Sequence, residues 1–204
     1  MLCRLSESFE ECMSRAKRVL ARGGLIVYPT DTLYGIGANA LDAEAVERVF
    51  LLKRREAKPI SILVHGLADI EKYCVVGGWQ REFLQKILPG PYTVVLVKKV
   101  EFPQRISTTE KIGVRVPDHF FARALSKELG FPITSTSANL SGKKAPVSAE
   151  EIEAEIASGV ELVIDGGRTA HARESTVIDL SGEKPVVLRK GAGYDELAGM
   201  TTHV

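Results

Sequence analysis

The chain has 204 residues, which suits one sizeable α/β domain or at most two small ones. With 45% hydrophobic and 26% charged residues it can bury a core of ordinary globular type without disulfide or metal staples. Its 27 basic and 26 acidic residues leave a net charge of +1, which excludes a protein that coats nucleic acid through bulk charge and confines any basic site to a local cluster.

Ser8 and Glu11 have capping-box spacing, and Phe9, Cys12, Ala16, Val19 and Leu20 recur at helical period. A first helix is therefore predicted, ending at Gly23-Gly24. Residues 25–28 form a short apolar β run that stops at Pro29, and a loop rich in Thr and Gly follows over 30–39. Asp42 caps a helix with Val46, Val49 and Phe50 on one face, and the basic cluster Lys53-Arg54-Arg55 lies at its C-terminal end. A strand over 60–64, a helix over 79–88 and a hard break at Pro89-Gly90-Pro91 come next. Strands over 93–97 and 112–116 precede a helix that Asp118 is expected to cap and that runs to about Leu129. Residues 132–134 read as a short strand spilling into a Ser/Thr-rich loop, and Ser148 with Glu151 gives a second capping-box pattern. Three β runs, 161–164, 176–180 and 186–188, close the pattern before a tail that looks loose after about Gly193. Strands alternating with helices, then strands alone, predict a single α/β domain, core about 8–193, with a twisted mixed sheet flanked by helices.

Cys3, Cys12 and Cys74 are odd in number and fit no zinc or redox spacing, so they read as free thiols of a reducing compartment. No apolar run approaches the roughly 20 residues of a membrane span, and the first residues lack a signal-peptide core. The expectation is a cytoplasmic protein with no membrane partner.

Four segments could carry chemistry. The loop after Pro29 bears Thr30, Asp31, Thr32, Tyr34, Gly35 and Gly37 at the carboxyl end of a strand, where ligands bind in open α/β sheets; it fits a site and a self-satisfied turn equally. Lys53, Arg54, Arg55 and Lys58 place four cations in six residues, suited either to phosphate or to a solvated helix end. The stretch 134–142 crowds Ser135, Thr136, Ser137, Asn139 and Ser141 around small residues, more polar groups than a turn needs. Arg115 and Arg189 sit on β runs among Val and Leu, and each wants an anion, from the protein or from a ligand. His65, His119, His171 and His203 show no metal spacing, and there is no Gly-x-Ser-x-Gly elbow or Cys–His pair. The supply is cations, hydroxyls and backbone amides. That suits a reaction whose substrates bring their own nucleophile and leaving group, such as phosphoryl or nucleotidyl transfer.

Taken in order, Val27 to Ala38, Lys53-Arg54-Arg55 with Lys58-Pro59, GVRVP, TSTSANLSG, STVIDL and VLRKGA resemble the YrdC-type threonylcarbamoyl-AMP synthases over about residues 10–193. The resemblance is to the stand-alone form without the extra C-terminal domain of longer relatives. It implies a nucleotidyltransferase that makes threonylcarbamoyl-adenylate and pyrophosphate from L-threonine, bicarbonate and ATP, with Mg²⁺ accompanying ATP. A separate transferase would then pass the threonylcarbamoyl group to tRNA, and direct RNA binding is a further expectation. Carried over residue by residue, Thr32, Arg115, Ser135 and Ser175 would bind threonine. Lys53, Arg55, Lys58, Lys111, Ser137, Asn139 and Arg189 would bind ATP. No catalytic residue is assigned beyond positioning and charge stabilisation by Lys53 and Arg55, and no metal ligand. The chain departs from the family pattern at Glu56 and Thr136, where many relatives have Pro. Two alternatives stand beside this reading. One is an RNA-binding module without turnover, which the neutral charge and the lack of aromatic residues at the basic cluster disfavour. The other is a carbamoyl-adenylate-forming domain of the kind found in hydrogenase-maturation proteins.

Overall fold

The computed structural model describes residues 1–54 and 59–201, the last two by their backbone alone. Helix α1 (Phe9–Ala21) starts where the sequence says it should: Ser8 is extended and its Oγ accepts the Glu11 amide at 3.2 Å. The reciprocal half of the capping box is replaced by a Glu11–Arg15 ion pair one turn on. Gly23, at φ +73°, turns the chain out of the helix. Asp42 caps helix α2 (Ala43–Leu52), its Oδ1 accepting the amides of Glu44 and Ala45 at 3.0 and 3.1 Å.

The strands are β1 (Leu2–Arg4), β2 (Ile26–Tyr28), β3 (Gly35–Gly37), β4 (Ser61–Leu63), β5 (Tyr92–Val97), β6 (Lys111–Arg115), β7 (Ile133–Ser137), β8 (Leu162–Asp165), β9 (Thr176–Asp179) and β10 (Val186–Arg189). They form one mixed sheet in the order β1-β8-β2-β3-β7-β4-β6-β5-β9-β10. The pairs β1/β8, β2/β8, β4/β6 and β5/β9 are parallel, and the other five are antiparallel. The expected single α/β domain with a mixed sheet and flanking helices is therefore what the chain adopts.

The two faces of the sheet are covered unequally. Alternate residues of each strand point to opposite faces. Val27, Ile62, Val94, Leu96, Ile112 and Val114 face one way and pack with Val46, Val49 and Phe50 of α2, Ile70 of α3 (Leu67–Tyr73) and Leu84 and Ile87 of α4 (Gly78–Ile87). Ile26, Tyr28, Leu63, Ile133, Leu162 and Ile164 face the other way and pack with Cys12, Met13, Ala16 and Leu20 of α1 and Phe121, Ala122 and Leu125 of α5 (Phe120–Leu129). The α1–α5 layer spans β8, β2, β7 and β4. Farther along that face, β6, β5 and β9 carry polar residues instead, and the space above them is the cavity described below.

Several local expectations need correction. The Thr/Gly loop over 30–39 contains β3, held between β2 and β7. The stretch 134–142 opens with three more residues of β7, because Ser135 and Ser137 line a cavity and break the apolar alternation that marks a strand. Asp118 does not cap α5; His119 occupies that position, and the Asp118 amide donates to Asp31 Oδ2 at 3.1 Å. Ser148 precedes a single 3-10 turn (Ala149–Glu151) and makes no side-chain cap, and the short helix α6 (Ala154–Ser158) follows. The tail folds as α7 (Tyr194–Thr201), anchored by Leu197 in the core. Elements β1 and α3 carry too few residues to show a period. Cys3 and Cys12, with Cα atoms 5.7 Å apart, form a disulfide joining β1 to α1. This corrects the three free thiols and removes their argument for a reducing compartment. Cys74 is buried and unbridged, its thiol pushed up to about 12 by burial. Among the described residues no helix is long and apolar enough to cross a membrane.

Candidate active site

The uncovered part of the sheet forms the floor of a cavity of about 470 Å³. Its walls are the loop between β2 and β3, the polar end of β7, and residues 174–175 with the end of β10. A volume of this size suits a small-molecule substrate.

Thr30 organises the first wall. Its Oγ1 accepts the amides of Thr32 and Leu33 at 3.2 Å each and donates to the Leu33 carbonyl at 2.7 Å. This closed turn aims the Thr32 hydroxyl at the floor, where it accepts a hydrogen bond from Arg115 Nη2 at 2.8 Å. The same nitrogen donates to Asp31 Oδ1 at 2.9 Å. Asp31 is only 2% exposed, and its backbone carbonyl also accepts the His171 amide at 2.9 Å. Arg115, 8% exposed, is thus clamped by the loop through one nitrogen, while its buried Nε has no hydrogen-bond partner among the described residues. A buried guanidinium keeps a strong demand for an acceptor at such an atom.

Hydroxyls surround this cation. Thr93 Oγ1 and Ser175 Oγ lie 2.8 Å apart. Ser61, Ser135 and Ser137 line the same space. Gly113 lies between Ser61 and Thr93, and a Cβ there would come within 2.5 Å of the Ser61 Oγ, so the floor stays low only because this residue has no side chain. Tyr28, buried on the same face of the sheet under the α1–α5 layer, is pushed up to about 12 by burial. Arg189 holds Ser175 from behind, donating from Nε and Nη2 to its carbonyl at 3.2 and 3.0 Å and pairing with Glu174 at 2.9 Å. Lys111, half exposed, pairs with Asp179 at 3.0 Å.

Of the sequence-predicted residues, Thr32, Arg115, Ser135, Ser175, Lys111, Ser137 and Arg189 line this one cavity. Arg55 and Lys58 lie outside the described residues. Lys53 and Asn139 are held by backbone carbonyls beside the cavity and are not among its lining residues. Lys53 is 2% exposed, and its ammonium donates to the carbonyls of Ser137 and Asn139, the latter at 2.7 Å. Asn139, 8% exposed, donates from Nδ2 to the carbonyls of Leu140 and Lys143 at 2.9 and 2.6 Å and accepts the Ser137 hydroxyl at 2.5 Å. Both residues build the loop after β7; neither faces the cavity. Arg54, at φ 50°, pairs with Glu155 on the surface. Sequence reasoning passed over Ser61, Thr93 and Asp179, and named Asp31 in its loop without giving it a role. The alternation of β5 and β9 could have placed Thr93 and Asp179 on one face, but not said which face was open.

The Sua5/YciO/YrdC family model, described as "Telomere recombination", matches residues 18–191. A Methanocaldococcus jannaschii protein is 40% identical over 91% of this chain and 88% of its own length. The threonylcarbamoyl-AMP synthase of Pyrococcus abyssi is 38% identical over 94% of this chain, which spans 57% of that protein. Among solved structures, Pyrococcus abyssi Sua5 complexed with L-threonine matches 94% of this chain and 57% of its own at a TM-score of 0.86 and 36% identity. Escherichia coli YciO matches 90% of both chains at a TM-score of 0.81 and 33% identity.

Proposed function

This chain belongs to the Sua5/YciO/YrdC family, and from that premise we propose that it is a nucleotidyltransferase that forms threonylcarbamoyl-adenylate and pyrophosphate from L-threonine, bicarbonate and ATP. The reaction balances without a protein nucleophile. The threonine amine adds to carbon dioxide from bicarbonate and loses a proton, giving a carbamate. A carbamate oxygen then attacks the α-phosphorus of ATP, the bond to the bridging oxygen breaks, and pyrophosphate leaves. The product is a mixed anhydride. In the cytoplasm a threonylcarbamoyl transferase would consume it to modify tRNA, with direct contact between this chain and RNA as a further expectation.

One observation carries the reading: Arg115 lies buried at the floor of the cavity, fixed through Nη2, with its Nε unmatched among the described residues and hydroxyls on either side. The guanidinium lines the cavity, and a carboxylate there would pair with it by a charge-assisted hydrogen bond. Thr32, Ser135 and Ser175 then stand where the amine and hydroxyl of threonine need partners. A site built to hydrogen-bond a hydroxyl rejects valine because its own polar groups would go unpaired. Lys111, Ser137 and Arg189, with Arg55 and Lys58 outside the described residues, serve the nucleotide. Lys53 and Asn139 act at one remove by holding the end of β7. Among the described residues no group of three or more His, Cys, Asp or Glu could hold a resident metal. Mg²⁺ would accompany the ATP phosphates, as that small ion commonly does.

The test is pyrophosphate release with all three substrates and Mg²⁺. Release that needs threonine, bicarbonate and ATP together, and that falls with Arg115→Ala as threonine affinity falls, is the expected result. Purified protein that releases none above background overturns the proposal, and one that prefers carbamoyl phosphate to threonine turns it into a different adenylation.

A further inference from the structure

The cavity has two chemically different ends. Strand pairing aligns Arg115, Thr93 and Val177 in one row and Gly113, Val95 and Asp179 in the next, with Lys111 opposite Val97 one step farther on. Ser175 and Asp179 are four residues apart, about 13 Å at the usual rise of an extended chain. The Ser175 end holds the buried arginine and the hydroxyls. Val177 and Leu188 lie between the ends, and the Asp179 end offers Val95, the Thr109 hydroxyl beside Lys111 and the ion pair of Lys111 with Asp179.

We propose that Asp179 is a positioning residue for ATP, holding the Lys111 ammonium across β5 against the nucleoside end of the substrate. The inference rests on the nucleotide reading above. Its ground is the asymmetric use of one carboxylate. Asp179 Oδ1 accepts both the amide and the hydroxyl of Ser181, at 2.8 and 2.6 Å, which locks the side chain from behind. Its Oδ2 is presented to Lys111 Nζ at 3.0 Å. Burial alone would raise this carboxyl, but the Ser181 and Lys111 hydrogen bonds outweigh it and hold it below the ordinary carboxylate value. An exposed ion pair of this kind contributes little to stability. Its placement in the cavity wall is what gives it a task. A lysine has a long flexible stem, and a fixed carboxylate removes most of that freedom before a ligand arrives. The pair is neutral overall and lies among Val95, Val177 and the uncharged Thr109, so this end suits a flat, uncharged nucleoside and leaves the triphosphate to the cationic groups elsewhere.

Asp179→Asn separates the two roles, because the amide oxygen can still accept from Ser181 while the group facing Lys111 loses its charge. The experiment titrates a non-hydrolysable ATP analogue and measures pyrophosphate release as ATP and threonine are varied in turn. Asp179→Asn is expected to raise the Kd for the analogue and the KM for ATP about tenfold, the scale of one lost charge-assisted contact. The KM for threonine and the melting temperature stay at the wild-type values, and Asp179→Glu restores part of the loss. In a Lys111→Met background Asp179→Asn should add nothing. Equal losses toward threonine and ATP, or the same tenfold loss without Lys111, overturn the inference. Wild-type protein that binds no adenine nucleotide overturns the functional reading along with it, whereas a variant that binds the analogue as well as wild type overturns the role of Asp179 alone.

Discussion

Arg115 and Asp31 are 84 residues apart in the chain and 2.9 Å apart in the fold, a buried ion pair that ties β6 to the loop between β2 and β3. Asp31 also accepts the Asp118 amide and gives its carbonyl to His171, so three segments converge on one residue. The pair decides where the buried Arg115 guanidinium of the cavity points.

Removing Asp31 should therefore cost both stability and threonine binding. Asp31→Ala leaves a buried cation without its carboxylate, a change of about 3–5 kcal/mol. Urea melts should show that loss, and calorimetric titration should show weakened L-threonine binding in whatever fraction stays folded. Full stability in Asp31→Ala would mean that Arg115 does not depend on it.

The basic cluster at the end of α2 should split into unequal members. Lys53→Met strands the buried Asn139 carbonyl, at about 1–3 kcal/mol, while the Ser137 carbonyl keeps the Asn139 amide. Arg54→Ala removes an exposed pair with Glu155 and should cost under about 1 kcal/mol. Thermal melts of the two variants check this, and a Lys53 variant as stable as wild type would restore that lysine to the role of a phosphate ligand.

Gly191→Ala should distort the site from outside it. A Cβ at Gly191 would come within 2.3 Å of the Glu174 carbonyl and 2.4 Å of the Ser175 carbonyl, and backbone cannot swing away as a side chain can. Overpacking of this kind costs about 1–3 kcal/mol. The melting temperature should fall, and threonine affinity should fall with it because Ser175 is displaced. An unchanged affinity would show that Ser175 is not needed in its present place.

His119 sets a pH slope. Burial lowers its pKa below the ordinary 6.5, against the opposing pull of Asp31 and Asp118, and its Nδ1 is buried with no partner among the described residues. Between the lowered folded value and 6.5 the unfolded chain binds the proton more readily, so stability rises with pH in that window. Stability should thus be fully present above 6.5 and decline as pH falls below it. His119→Gln should flatten that part of the curve in urea melts at stepped pH, and a slope identical to wild type would assign it to other groups.

Much of the architecture was legible because it is local. Ser8 and Asp42 cap helices where their side chains can reach amides two or three residues on, the apolar runs of β2 and β8 are buried on both faces, and β5 and β6 bury the face that meets α2 and α4. What escaped detection was polar or short. The second half of strand β7 reads as a loop because Ser135 and Ser137 face a cavity, and β3 is a Gly-Ile-Gly segment held by neighbours from distant parts of the chain. The disulfide between Cys3 and Cys12 hides in an odd cysteine count that no spacing rule resolves.

By itself the sequence determined the order of elements, the mixed α/β sheet and the stock of hydroxyls and cations that suits nucleotidyl transfer, since periodicity and residue type are properties of short stretches. Only the tertiary structure decided which of those groups meet. Lys53 turns inward to two carbonyls while Lys111 turns into the cavity, and Arg115 receives a protein carboxylate through one nitrogen while keeping another unspent. The physical reason is strand register and the unequal covering of the sheet: a one-residue shift would turn every side chain of β6 to the other face, and the helices α1 and α5 end their cover where β6 begins.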